Sequence, residues 1–141
     1  MAEKNLIIIV DGMDGAGKST LVLELRRLGY DVLDRGNATH MVDDDDLVAE
    51  PNAFYIILLA AVATCRQRLA NASKPLDEWC HSEESLTHYR ERYRTIEPRL
   101  PRAIYVDSDG SHAETMKIVL DLLDANQVYP VRPLGGNDGL R

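Results

Sequence analysis

The sequence predicts an α/β fold built on a small parallel sheet, and three observations predict it. Leu6–Val10 is a short, unbroken, β-branched apolar run, the pattern of a strand buried on both faces of a parallel sheet. Two more such runs follow, Phe54–Leu59 and Ala103–Val106. Between and after them lie stretches with apolar residues at helical spacing, so strand and helix patterns alternate along the chain.

Each element can be justified in order. After Leu6–Val10 comes a glycine-rich turn, Gly12–Gly17, and then a helix with Leu21, Leu25 and Leu28 on one face and Gly29 as its stop. Tyr30–Leu33 reads as a second strand. Asn37–Asn52 is polar, and its run Asp43–Asp46 reads as a solvated loop. Phe54–Leu59 is a core strand and Val62–Ala72 a helix. Ser73–Ser82 is a loop carrying the only tryptophan, Trp79. A helix over Glu83–Ile96 places Leu86, Tyr89, Tyr93 and Ile96 on one stripe, with Arg90 and Arg94 on a neighbouring face. Pro98 and Pro101 end it. Ala103–Val106 is the last strand, and Glu114–Leu123 is an amphipathic helix with Met116, Val119, Leu120 and Leu123 inward. The segment from Gln127 has prolines and glycines but no apolar period, so one domain is expected over residues 1–125 and a flexible tail over 126–141.

Composition agrees with one soluble domain of 141 residues, 45% hydrophobic and 28% charged. The longest apolar run, Ala53–Ala63, is shorter than the roughly 20 residues that span a bilayer. The N-terminus has no signal-peptide pattern, so a cytoplasmic protein without a membrane partner is expected. Cys65 and Cys80 are too few for a disulfide framework, and Cys65 reads as core. His40, His81, His88 and His112 lack metal-ligand spacing and are expected at the surface. The net charge of −7 argues against indiscriminate nucleic-acid binding. The stretch Arg66–Arg102 is nevertheless locally basic, which suits either a mixed-charge helix or a focused anion site.

Gly12-Met13-Asp14-Gly15-Ala16-Gly17-Lys18-Ser19 fits the phosphate-binding loop pattern G-x-x-x-x-G-K-[ST], between a buried strand and a helix as that motif requires. The glycines let backbone amides wrap closely around a polyphosphate at a helix N-terminus. Lys18 supplies a mobile positive charge, and the Ser19 hydroxyl is a Mg²⁺ ligand. Residues 12–20, Thr20 included, form the expected ATP·Mg²⁺ site. Asp11 and Asp14 repel phosphates, so an acidic group there is expected to face a hydroxyl or a metal-bound water.

With these residues in view, Asp14–Thr20 resembles the D-G-x-G-K-S-T loop of the thymidylate kinase family, with Asp11 in place of its usual Glu. Val32-Leu33-Asp34-Arg35 resembles the family's D-R motif at a strand end, where the Arg holds the acceptor phosphate and the Asp lies near the reacting groups. Glu50–Leu59 with Arg66 and Arg68 is similar to the strand and helix before the lid, and Ser73–Tyr93 resembles the lid and its following helix, with Arg90 and Tyr93 at matching places. Val106-Asp107 with its helix matches the last strand and helix. The resemblance covers roughly residues 5–124 and implies a three-layer P-loop kinase fold with a lid at about 73–95.

The departures matter too. The family's long segment between the P-loop helix and the D-R strand is missing, and Asp77-Glu78-Trp79 lacks the arginine of its D-R-x-E lid. The resemblance narrows to reduced kinases of that family, the bacteriophage 5-hydroxymethyluracil DNA kinases. It implies γ-phosphoryl transfer to a pyrimidine acceptor, favoured as a hydroxymethyl group in DNA, with a free deoxynucleoside monophosphate as the alternative. By the same resemblance Asp34 or Asp11 would position the acceptor hydroxyl, Arg35 would clamp an acceptor phosphate, and Lys74, Arg68 or Arg90 would supply lid charge. A nucleotide hydrolase or an inactive binding module are the rivals from other classes; the N-K-x-D motif of a GTPase is absent.

Overall fold

The structure, a computed structural model, describes residues 6–13, 15–34, 52–95 and 102–131. Its elements run β1 (Ile7–Gly12), α1 (Lys18–Arg27), β2 (Val32–Asp34), β3 (Ala53–Leu59), α2 (Val62–Asn71), a 3-10 turn at Trp79–His81, α3 (Glu83–Thr95), β4 (Ala103–Asp107) and α4 (His112–Ala125). The alternation predicted from the sequence is the alternation observed.

All three strand pairings are parallel, in the order β2-β1-β3-β4. Val10 sits beside Asp34 on one side and Ile56 on the other. Ile8, Ile9 and Val10 of β1, and Phe54–Leu58 of β3, are all buried, so both faces of the sheet centre are covered. That is why these strands read as continuous apolar runs rather than as alternating ones. The covering side chains are Leu21, Val22 and Leu25 from α1, Cys65 and Leu69 from α2, Leu86, Tyr89 and Tyr93 from α3, and Met116, Val119 and Leu123 from α4. The three-residue β2 has one buried member, Val32, and one half-exposed, Leu33.

The topology singles out one edge of the sheet. From β1 the chain returns on one side as β2, then crosses β1 to form β3 on the other. Open parallel sheets bind ligands at the carboxyl ends of the strands where strand order reverses in this way, and here that place is the turn after Gly12.

The first residues past α4, expected to belong to a tail, are packed against the domain. Gln127 takes a left-handed turn at φ 62°, Val128 is buried and donates its N–H to the Leu123 carbonyl at 2.8 Å, and the Val131 N–H reaches the Gly29 carbonyl at 3.0 Å. One apolar residue beyond α4 is enough to fold the chain back onto α1. Residues 132–141, the Asp43–Asp46 run, Glu50-Pro51, Pro98 and Pro101 lie outside the described residues. No helix among the described residues is long and apolar enough to cross a membrane.

Candidate functional site

The turn after β1 is shaped by its glycines. Gly15 has φ 84°, and a Cβ there would lie 2.5 Å from the Cys65 carbonyl oxygen, so the loop lies directly on α2. Gly17 has φ 97° but open space around it, which makes its requirement one of backbone conformation alone. That left-handed glycine is the N-cap of α1, and no side chain caps the helix. The first amides of a helix have no intrahelical partner.

Two of the other three helices are capped by side chains. Before α2, Asp109 Oδ1 accepts from the Ala61 amide at 2.9 Å, but no side chain caps the helix itself. Ser82 Oγ accepts from the Ser85 amide at the start of α3 at 3.1 Å. Ser111 and Glu114 form a reciprocal capping box on α4. Among the described residues, neither α1 nor α2 has a side-chain cap, and of the two only α1 starts at a left-handed glycine and opens on a cavity.

A cavity of about 560 Å³ opens at that uncapped end. Gly15 to Leu21 form one wall, and Arg68, Lys74, Ser108 and His112 stand opposite. Lys18 folds back, its Nζ donating to the Gly12 carbonyl at 3.0 Å. Ser19 and Thr20 are exposed on the same wall. No cluster of three acidic, histidine or cysteine side chains able to hold a metal ion occurs among the described residues. A lone hydroxyl such as Ser19 fits Mg²⁺ that keeps most of its ligands from phosphate oxygens and water.

The structure redistributes the residues expected from the sequence. Gly12, Gly15, Ala16, Gly17, Lys18, Ser19 and Thr20 come together in the turn and first turn of α1; Asp14 lies outside the described residues. Met13 turns its side chain into the core, and its amide is spent on the Leu58 carbonyl at 3.1 Å. A residue between two buried strand ends packs inward, so the motif position carries no phosphate contact through its side chain. Asp34 ends β2 beside Val10, on the same edge as the turn; its side chain and all of Arg35 lie outside the described residues.

Arg68 is at the cavity, but its guanidinium is tied to protein oxygens. It donates to the Ser108 carbonyl, to the Gly110 carbonyl at 3.1 Å, and to Gly15 O and Ser108 Oγ at 3.4 Å. This geometry holds the glycine turn against the loop after β4, where the sequence suggested a cation for the reaction. Arg90 does not line the cavity; its Nε is buried on α3 with no hydrogen-bond partner among the described residues. Of the three lid cations weighed, Lys74 is the one exposed on the cavity wall.

Asp11 does face a hydroxyl, but the protein's own. It is fully buried and its Oδ1 accepts from the Tyr93 hydroxyl at 2.8 Å and from the Gly12 amide at 2.7 Å. A carboxylate enclosed in this way is not placed to meet an incoming acceptor, so Asp34 is left as the acidic candidate at the sheet edge. His81 is likewise not a surface residue. It is 9% exposed, lies on the cavity wall and holds the Pro75 carbonyl through Nδ1 at 2.8 Å.

Ser108 is the residue that sequence reasoning missed. Its hydroxyl donates to the Ala16 carbonyl at 2.8 Å and so ties the glycine turn to the end of β4. The available signal was its position immediately after a parallel strand, on the sheet edge that binds ligands. Next to it, Asp109 is held below the usual carboxylate range. Burial alone would raise it, but hydrogen bonds with Asp107, the Ala61 amide and Thr64, together with the Arg68 charge, outweigh burial.

Comparison with protein-family models, with curated proteins and with solved structures gave no match. The site therefore stands on its own geometry.

Proposed function

We propose that this chain is an ATP-dependent phosphotransferase with a P-loop kinase fold. ATP·Mg²⁺ binds in the cavity at the start of α1. The single observation that supports this is the start of α1: a left-handed glycine with no side-chain cap, facing a cavity with a lysine beside it, where α3 and α4 start on a serine oxygen. Unpartnered amides and a helix dipole favour an anion at that end, and nucleoside triphosphate is the anion whose tail needs both the amides and Lys18.

In this reading Lys18 leaves the Gly12 carbonyl for the β- and γ-phosphate oxygens, and the Ser19 hydroxyl would hold the Mg²⁺ that comes with them, which would neutralise phosphate charge. The acceptor hydroxyl oxygen would bond to the γ-phosphorus as the bond to the β,γ-bridging oxygen breaks, its proton would pass to the Asp34 carboxylate, and ADP would leave. The acceptor enters from the β2 edge, where Asp34 positions its hydroxyl and Arg35 clamps an acceptor phosphate. Lys74 adds positive charge as negative charge spreads over the transferring group.

The favoured acceptor is the hydroxymethyl group of 5-hydroxymethyluracil within DNA. The chain between α1 and β2 is only a few residues long, which leaves few walls to enclose a free mononucleotide on that side. A deoxynucleoside monophosphate is the second reading, carried by the Asp34-Arg35 pair. Incubation with γ-labelled ATP and Mg²⁺ tests both: label is expected in hydroxymethyluracil-containing DNA. Label in a free diphosphate would favour the second reading, and label in inorganic phosphate alone would make the protein a hydrolase.

A further inference from the structure

The carbonyl oxygen of Gly12 receives two side-chain donors from opposite directions along the chain. Lys18 Nζ lies 3.0 Å from it, and so does the Tyr93 hydroxyl. The same hydroxyl lies 2.8 Å from Asp11 Oδ1. One phenolic proton is thus shared between the Asp11 carboxylate and the Gly12 carbonyl, while Asp11 is also held by the Gly12 N–H at 2.7 Å. All of this is buried apart from the lysine head, and Tyr93 reaches it from α3, a helix in contact with both α2 and the Trp79–His81 turn.

We propose that Tyr93 is a positioning residue whose hydroxyl takes over the Gly12 carbonyl when Lys18 leaves it for a polyphosphate. The proposal rests on the nucleotide reading above and deepens it by naming what keeps the loop in shape once its lysine is recruited. With Lys18 present, the carbonyl is satisfied by the ammonium, and the phenolic proton leans toward Asp11. When Lys18 swings to the phosphates, the carbonyl would be left buried without that donor, which is costly. The proton then shifts its weight to Gly12, and Asp11 keeps the Gly12 amide. No bond is made or broken. The cost of releasing Lys18 falls, and α3 becomes sensitive to whether the P-loop is loaded.

A double-mutant cycle of Tyr93→Phe and Lys18→Met tests this without nucleotide. Either donor alone can serve the carbonyl, so each single variant keeps it satisfied and the double variant does not. The melting temperature of the double variant is expected to fall by roughly 3 °C or more beyond the sum of the singles. Loss of the Asp11 contact in Tyr93→Phe enters the single variant and leaves the coupling untouched. In calorimetry with Mg²⁺ and ATP, Tyr93→Phe is expected to weaken binding about tenfold, because Lys18 then departs without a replacement.

Additive melting, or an unchanged ATP affinity in Tyr93→Phe, would overturn the takeover in a protein that still binds nucleotide. If the wild-type chain gave no heat with any triphosphate, the nucleotide reading would fall and the takeover with it. Should Tyr93→Phe not fold, tyrosine ¹³Cζ spectra of the wild type and Lys18→Met replace it: one buried tyrosine signal must move between the two, and no movement would overturn the proposal.

Discussion

The N-termini of α1 and α4 both reach the same cavity, and they are built in opposite ways. At α4 the chain closes its own accounts: Ser111 accepts from the Glu114 amide at 3.1 Å, and Glu114 Oε1 accepts from the Ser111 amide at 2.8 Å. At α1 a glycine at φ 97° leaves the amides with no side-chain oxygen. A capped terminus stabilises its helix at all times; an uncapped one gains that stabilisation only when an anion arrives. The difference leaves one helix terminus at the cavity closed by its own side chains and the other open to an anion.

Substitutions can break or sharpen this contrast, beginning with the most severe. Gly15→Ala pushes a Cβ against the Cys65 carbonyl at a left-handed φ. It is expected to cost about 3 kcal/mol or more, read as a lower denaturation midpoint, since strain and overpacking add. Lys18→Ala leaves the loop's shape but removes its mobile charge. A fall of about 10²–10³ in kcat for label transfer is expected, with a normal circular dichroism spectrum. Retention of full activity would remove the lysine from the mechanism.

Gly17→Ala meets open space, so only the left-handed φ is penalised, at about 1–2 kcal/mol. If it proved as damaging as Gly15→Ala, the wall around Gly17 would be closer than described. Ser111→Ala removes the cap of α4 and is expected to cost about 1 kcal/mol in thermal melting while leaving ATP affinity unchanged. A large loss of affinity there would erase the distinction between the two termini.

The mildest effect concerns Asp109, whose carboxyl lies below its ordinary value. A depressed folded-state value contributes stability above the unfolded pKa of about 3.9 and loses it as pH falls through the folded value. The melting difference between wild type and Asp109→Asn is expected to be constant near neutrality and to shrink below about pH 4. A difference that persists in strong acid would place the effect in packing rather than in charge.

The parts of the site that could be read from the sequence are contiguous in it. β1, the glycine turn and α1 follow each other within residues 7–27, so a strand pattern, three glycines and a helix pattern carry the whole loop. The continuous apolar runs marked β1 and β3 as central strands, because burial on both faces removes the alternation that an edge or half-exposed strand would show.

The remaining parts depend on pairings far apart in the chain. Tyr93 lies 82 positions from Asp11, Ser108 lies 92 from Ala16, and Arg68 lies 40 from Ser108. The sequence placed Tyr93 on an apolar stripe, which is correct for its ring and silent about its hydroxyl. It marked Arg68 as a free cation because nothing local could show that three carbonyls would claim it. His81 looked like a surface residue for the same reason.

What the sequence determined by itself was the periodicity of each element and the local chemistry of one turn, since neighbours along the chain fix both. Only the tertiary structure decided which polar groups satisfy one another and which helix terminus is left open. Those outcomes follow from the order of strands in the sheet, which brings the carboxyl ends of β1, β2, β3 and β4 to one edge and makes distant side chains compete for the same few carbonyls and amides.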